Sequence, residues 1–447
     1  GGIRKTMLML FENEKLNIKE KDKKEKKSDD KPKINEFNNK EKRVEKIMSL
    51  VDTKGCNEEE MRHVKKLIEY KPYVFGLDGE PLKATNILKH RIITTSDKPI
   101  AVKRFRYPVV LRDQMRVEIK KLLDQGIIEP SESPYNSMMF IRPKPDGPNG
   151  EKRWRVVTDF RQLNEVTVGS CHPLPFQSDI LENLASSRYI SVVDLKSGFY
   201  QIEIDERDRH KTAFSGPDGH YQYKRVPMGC MDSPNTFTRA MSLALAGLQG
   251  REIEVYMDDI MIYAETLKEH ERRFKNLLDR LDKASLTIEP KKCQFLKKEA
   301  KVLGHIVGNG TIKTDPEKIK AVHKYPKPIN AKKVKQLLGF TGYFRRFICN
   351  YAKIVQPLSK LMKKNVEFVW EEEQEKAFNK LIELLCNEPV LAAPDLNKPF
   401  IVTTDASDYA LGAILSQGEI GKDRPCEYAS RCLKEANYDT QRMTKNY

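Results

Sequence analysis

Apolar side chains recur every three or four residues over 58–70 (Met61, Val64, Leu67, Ile68), a spacing that predicts an amphipathic helix. A second such stretch spans 108–128, carries Leu111, Met115, Val117, Ile119, Leu122 and Leu123, and ends at Gly126. Strand-like runs follow at 138–144 and 152–159, on either side of a turn-rich loop at 145–150. Ser191-Val192-Val193-Asp194 reads as a short strand that turns out through Leu195-Lys196-Ser197-Gly198-Phe199. Segments 201–204 and 220–224 flank a Pro217-Asp218-Gly219 turn and predict a hairpin. Helical periodicity returns over 233–248 and 270–286, and 302–307 reads as one strand before a Gly308-Asn309-Gly310 turn. Beyond Thr314 the pattern is helical with prolines, Asn330 capping a helix over 331–347. Segment 399–416 then predicts strand, turn and strand, with Asp405 near the end of the first. By contrast, 16–45 alternates Lys, Glu, Asp and Asn with almost no large apolar residue. It cannot bury enough surface to offset its ordering entropy, so a disordered linker is expected over 1–47.

One stretch, 252–263, sets two adjacent acids, Asp258 and Asp259, between apolar β-prone runs, which predicts a hairpin with the acids at its bend. Burying like charges there costs several kcal/mol unless something neutralises them. A pair of divalent cations would do so, since Mg²⁺ favours a few carboxylates plus substrate phosphates. An exposed Asp-Asp turn is the plainer alternative.

Composition narrows the partner. The 447 residues carry a net charge of +16, which fits a polyanion, nucleic acid before membrane. The eight cysteines form no C-x-x-C pair, which argues against zinc ribbons and a disulfide framework and for a reducing compartment. No apolar run has membrane-spanning length. The chain starts at Gly1 and stops at Tyr447 within a helical pattern, so a piece of a longer polyprotein is expected.

Several side chains have two readings on the residues alone. Lys144, Lys152, Arg153 and Arg155 form either a solvated face or a triphosphate cradle. Asp194 is either a metal ligand at a strand end or a cap. Tyr343-Phe344-Arg345-Arg346-Phe347 suits a helix laid on a duplex, or core aromatics beside exposed arginines.

Together these segments resemble the reverse transcriptases of gypsy-type (Metaviridae) LTR retrotransposon Pol polyproteins, relatives of the retroviral enzymes. The resemblance runs from about Phe75 onward. It rests on Val157-Thr158-Asp159-Phe160-Arg161-Gln162-Leu163-Asn164, Asp194-Leu195-Lys196-Ser197-Gly198-Phe199-Tyr200-Gln201-Ile202 and Lys211-Thr212-Ala213-Phe214. It continues through Val226-Pro227-Met228-Gly229, Ser233-Pro234, Tyr256-Met257-Asp258-Asp259 and Leu303-Gly304.

The resemblance implies an α+β right-hand polymerase with fingers, palm and thumb, a connection and the start of an RNase H-like domain. The expected units are an N-terminal extension at 48–105, fingers and palm at 106–312, thumb and connection helices at 313–396, and the RNase H-like part at 397–447. It implies RNA-directed DNA polymerase activity, with two Mg²⁺ ions (or Mn²⁺ in their place) held by Asp194, Asp258, Asp259 and the Leu195 carbonyl. Lys144, Arg155, Ser197, Gly198, Phe199, Met228 and Gly229 would meet the dNTP, with Phe199 as the steric gate against a ribose 2′-OH. Core packing is the other reading of Phe199. Met228 departs from the retroviral Gln and implies altered pocket packing. Tyr256, Met257, Leu303, Gly304, Arg345 and Arg346 would meet primer and template. Asp405 would be a vestigial RNase H acid, because the run after Tyr438 lacks the family's Thr-Glu-Lys-Glu-like acids; RNase H activity is therefore not expected.

The implied partners are an RNA template, a DNA primer, their hybrid and dNTPs, with no membrane; a homodimer stays open. A cytoplasmic location, within virus-like particles or with nuclear entry, follows from the same resemblance. An RNA-dependent RNA polymerase and a degenerate, domesticated copy that binds nucleic acid without catalysis are the rivals.

Overall fold

The computed structural model describes residues 39–103, 106–144, 153–363, 366–387, 390–407 and 410–433. The loop at 145–150, Lys152 and the run after Tyr438 therefore lie outside the described residues, as do the side chains of Lys144 and Arg153.

The first helix among the described residues, Lys40–Met48, corrects the expected linker boundary at 47. Asn39 caps it by accepting the Glu41 amide, and Arg43, Val44 and Ile47 share a buried face. Arg43 makes the segment fold. Its guanidinium donates to the Pro72 carbonyl at 3.0 Å, the Phe75 carbonyl at 2.6 Å and the Glu80 carboxylate. A mixed-charge composition hid one buried cation with a complete set of acceptors.

Helix Glu58–Tyr70 forms as expected, with a reciprocal capping box between Asn57 and Glu60. Helix Val109–Asp124 lies beside a five-stranded sheet ordered 128–130, 220–223, 214–215, 137–144, 153–159. The predicted hairpin partner of the 220–223 strand is corrected: its neighbour is Phe214–Ser215, while Glu203–Ile204 pairs in parallel with Lys89–His90. A two-residue strand is too short to leave an alternating pattern, whereas the 201–204 run alternates apolar and polar residues.

A four-stranded sheet orders Gln294–Lys297, Tyr189–Asp194, Asp259–Ala264 and Ile253–Tyr256, all antiparallel. Its second strand is buried from Tyr189 to Val193 and emerges only at Asp194, so the chain delivers a carboxylate at the edge of its core. Helix Gln177–Ala185 covers one face, where Ile180, Leu184, Val192 and Met261 join Val307, Ile312, Phe344, Phe347, Leu381 and Leu391 in one core. Palm-like and thumb-like segments thus share their hydrophobic cluster.

Residues 302–307 are not one strand. Leu303 and Gly304 both take left-handed backbone (φ 48° and 73°), so Glu299–Val302 and His305–Gly308 become a hairpin with a two-residue turn. Strands Thr311–Thr314 and Val390–Ala392 complete that sheet. Asn330 caps helix Ala331–Gly342 through the Lys333 amide; the helix stops there, five residues short of its expected end, and Arg345–Phe347 is a 3₁₀ turn. Strands Ile401–Ala406, Ala410–Gln417 and Arg424–Cys432 form a last sheet. Among the described residues no helix is long and apolar enough to cross a membrane. All eight cysteines are free thiols.

Candidate active site

Strands Ile253–Tyr256 and Asp259–Ala264 pair directly, with Tyr256 opposite Asp259, leaving Met257 and Asp258 as the two-residue turn. Met257 takes φ 52°, which tightens the bend. On its other side Asp259 lies opposite Asp194 in the ladder with Tyr189–Asp194. Directly opposed residues have Cβ atoms about 4.5–5.5 Å apart, so two acids 65 positions apart in sequence become cross-strand neighbours.

The electrostatics follow from that crowding. Burial, then the charges of Asp194 and Asp259, push the Asp258 carboxyl up to about 6. Burial and the Asp194 charge raise Asp259 as well. Asp258 Oδ1 is buried with no hydrogen-bond partner. Lys292, which the sequence reading did not single out, places its ammonium 2.9 Å from Asp194 Oδ2 and opposes both shifts. Among the described residues no three His, Cys, Asp or Glu side chains are arranged so that they alone could hold a metal ion. The acids nevertheless fit a cation: an unpartnered carboxylate oxygen and mutually repelling neighbours are groups a divalent ion would satisfy, with phosphate oxygens completing its shell. Leu195, the expected carbonyl ligand, is buried and bridged to Ile288.

The other expected residues divide into groups. Ser197 takes left-handed backbone (φ 50°) and starts a 3₁₀ turn, Gly198–Gln201, on which Phe199 is half-buried. Met228 is exposed, and Gly229 takes φ 97°. Asn164 pins that loop, donating to the Gly229 carbonyl at 2.9 Å and accepting the Met231 amide at 2.8 Å. It closes the Val157–Asn164 motif, yet only the fold shows what its amide does. Arg155 is exposed on its strand opposite Arg142, and Lys144 lies opposite Arg153. Tyr256 accepts a 2.8 Å hydrogen bond from Gln177, and Met257 is exposed at the turn tip.

The arginine pair separates. Arg345 is exposed, whereas Arg346 turns inward to Glu182 at 3.5 Å and is only 14% exposed. Tyr343 donates to the Leu303 carbonyl, and Phe344 is fully buried. Asp405 is exposed at the far sheet, opposite Gly412, and accepts from Asn350 Nδ2 at 3.3 Å.

Comparison with known proteins gives this geometry its context. Residues 142–307 match the family described as reverse transcriptase (RNA-dependent DNA polymerase), and 370–446 match the RNase H-like domain found in reverse transcriptase. The chain is 41% identical over 387 residues to the retrovirus-related Pol polyprotein from transposon 297 of Drosophila melanogaster, covering 86% of this chain and 36% of that protein. It is 36% identical over 394 residues to the Pol polyprotein from transposon gypsy of the same organism, covering 85% and 38%. The chain thus spans little more than a third of these relatives' length. Among solved structures, a foamy viral protease–reverse transcriptase in complex with double-stranded DNA superposes with a TM-score of 0.76 at 24% identity, over 89% of this chain and 69% of that one. The foamy viral protein in complex with an RNA/DNA hybrid gives 0.71 at 23% identity, over 91% and 55%.

Proposed function

We propose that this chain, which belongs with the reverse transcriptases of gypsy-type retrotransposon Pol polyproteins, adds dNTPs to a primer 3′-OH on an RNA or DNA template. The observation that carries this reading is the register that sets Asp194 against Asp259, with the unpartnered Asp258 oxygen beside them. Asp194, Asp258, Asp259 and the Leu195 carbonyl would hold divalent cations, Mg²⁺ or Mn²⁺. Such ions, when bound, stabilise charge on the attacking and leaving oxygens of an in-line displacement.

The protein's own groups do the rest. Exposed Arg155 offers its guanidinium to a triphosphate, and Lys144, opposite Arg153 in the strand register, is the second candidate by its place in the ladder. The backbone of Ser197 and Gly198, and that of Met228 and Gly229 in the loop fixed by Asn164, would form the walls on which a nucleotide rests. Phe199 stands five residues beyond Asp194, where its ring would exclude a ribose 2′-OH. Lys292 stands 2.9 Å from Asp194 Oδ2, where its charge tempers the acids' repulsion. The turns at Met257 and at Leu303-Gly304 would position the primer end, and Arg345 would meet its phosphates. The neighbours' complexes with DNA and with an RNA/DNA hybrid support nucleic acid as the partner.

Mixing the protein with an RNA template, a DNA primer, dNTPs and Mg²⁺ tests this reading. Stepwise extension is expected. A folded protein that binds the primer–template but does not extend it would be the inert, domesticated copy instead.

A further inference from the structure

Phe237 lies on helix Ser233–Ala244 and is 1% exposed. Its ring centroid is 5.3 Å from that of Phe199, at a tilt of 54°. The contact reaches the backbone too. A Cβ built on Gly198, the residue just before Phe199, would lie 2.9 Å from Phe237 Cε2, 3.0 Å from its Cζ and 3.6 Å from Asp258 Oδ1. Residue 198 must therefore lack a side chain because the Phe237 ring already fills that space. The ring wedges between the turn that carries Phe199 and the helix behind it, within a few ångströms of the acid cluster.

The helix under the wedge is anchored. Ser233 Oγ donates to the Pro227 carbonyl at 3.1 Å, tying the helix start to the loop of Met228 and Gly229. Thr236 Oγ1 shares a 2.7 Å hydrogen bond with His90 Nδ1, which fixes the neighbouring position on the strand pair of Lys89–His90 and Glu203–Ile204. A gating ring works only if it cannot swing aside, and Phe199 itself is just half-buried. Its rigidity has to come from beneath.

We infer that Phe237 is a specificity-determining positioning residue: its buried ring holds Phe199 and the Gly198 backbone at a fixed height over the nucleotide sugar, and so sets discrimination between deoxyribo- and ribonucleotides. This rests on the reading of Phe199 as the gate. Phe237 touches no substrate, and it acts through Phe199.

The test measures kcat and KM for dCTP and CTP on one primer–template with wild type, Phe199→Val, Phe237→Leu and the double variant. Phe237→Leu keeps apolar volume but loses the flat ring. The dCTP over CTP selectivity is expected to fall about tenfold, chiefly through a lower KM for CTP. In the Phe199→Val background the same substitution should change selectivity by less than about twofold, because the ring it supports is gone. Should Phe237→Leu fail to fold, Phe237→Met carries the same comparison. A purely structural Phe237 would lower efficiency with both nucleotides equally and leave their ratio unchanged, which overturns the inference while Phe199 keeps its role. If Phe199→Val itself leaves the ratio unchanged, the gate reading fails and this inference fails with it.

Discussion

The Tyr343 hydroxyl donates to the carbonyl of Leu303, the first residue of a two-residue turn whose second, Gly304, also has left-handed backbone. Lys318 lies 4.8 Å from the centre of the Tyr343 ring, and His305 packs against the same ring. The aromatic run that sequence alone left open between a duplex contact and core packing thus does two things. Tyr343 and Phe344 bind the thumb-like helix to the hairpin below it, and one of the two arginines remains free to face outward.

This division separates Arg345 from Arg346. Arg345→Ala should weaken primer–template binding about equally for all sequences and reduce the salt slope of the affinity by about one. Arg346→Ala should leave that slope unchanged and lower stability, because it strands Glu182, a carboxylate already raised by burial that Arg346 helps to hold charged. Binding isotherms over a salt series, beside urea melts, check both; equal salt slopes for the two variants would contradict the assignment.

Helix Lys40–Met48 is tied down through Arg43, which pairs with Glu80. Burial opposes ionisation of Glu80, but hydrogen bonds from Arg43 and the Leu77 amide hold its carboxyl below the usual range. Arg43→Ala leaves the Glu80 carboxylate with the Leu77 amide alone and two main-chain carbonyls without their donor, and should cost about 3–5 kcal/mol in urea unfolding.

A buried histidine chain gives stability a pH dependence. His63 Nε2 lies 3.3 Å from His270 Nδ1, and His270 Nε2 lies 2.8 Å from Ser191 Oγ, on the strand that ends in Asp194. Burial, then the neighbouring His63 and Arg273, lowers His270 to about 3. A histidine depressed in the fold is neutral there while the unfolded chain takes up a proton below about 6.5. Its stabilising effect is therefore complete above that pH and declines as pH falls toward the folded value. Between pH 6.5 and 4.5, His270→Gln should flatten the stability profile by about 1.4 kcal/mol per pH unit relative to wild type. An unchanged slope would mean that His270 is charged in the fold.

The acids were legible in the sequence because their surroundings are so unlike them: a carboxylate pair between apolar runs, and Asp194 closing a run of buried strand residues. Local patterning also placed helices Glu58–Tyr70 and Val109–Asp124 and strands Ser137–Lys144 and Arg153–Asp159 within a residue or a few. What stayed hidden depends on partners distant in the chain. Lys292 reaches Asp194 across 98 positions, and nothing near Lys292 distinguishes it from other surface lysines. Phe237 reads as an ordinary apolar helix residue until its ring is seen against Phe199. Leu303 broke the predicted strand because only the backbone angles reveal that an apolar residue has taken a left-handed turn position.

In the proposed reaction Asp194, Asp258 and Asp259 together hold the cations for nucleotidyl transfer. Primer extension by Asp258→Asn, run beside wild type with Mg²⁺, tests it most directly. Asparagine keeps the shape and removes one of three crowded charges, so the variant should melt at or slightly above the wild-type temperature in metal-free buffer. It should bind primer–template as wild type does, with extension reduced by a factor on the order of 10³ or more. Extension by Asp258→Asn at a rate near that of wild type would contradict the account.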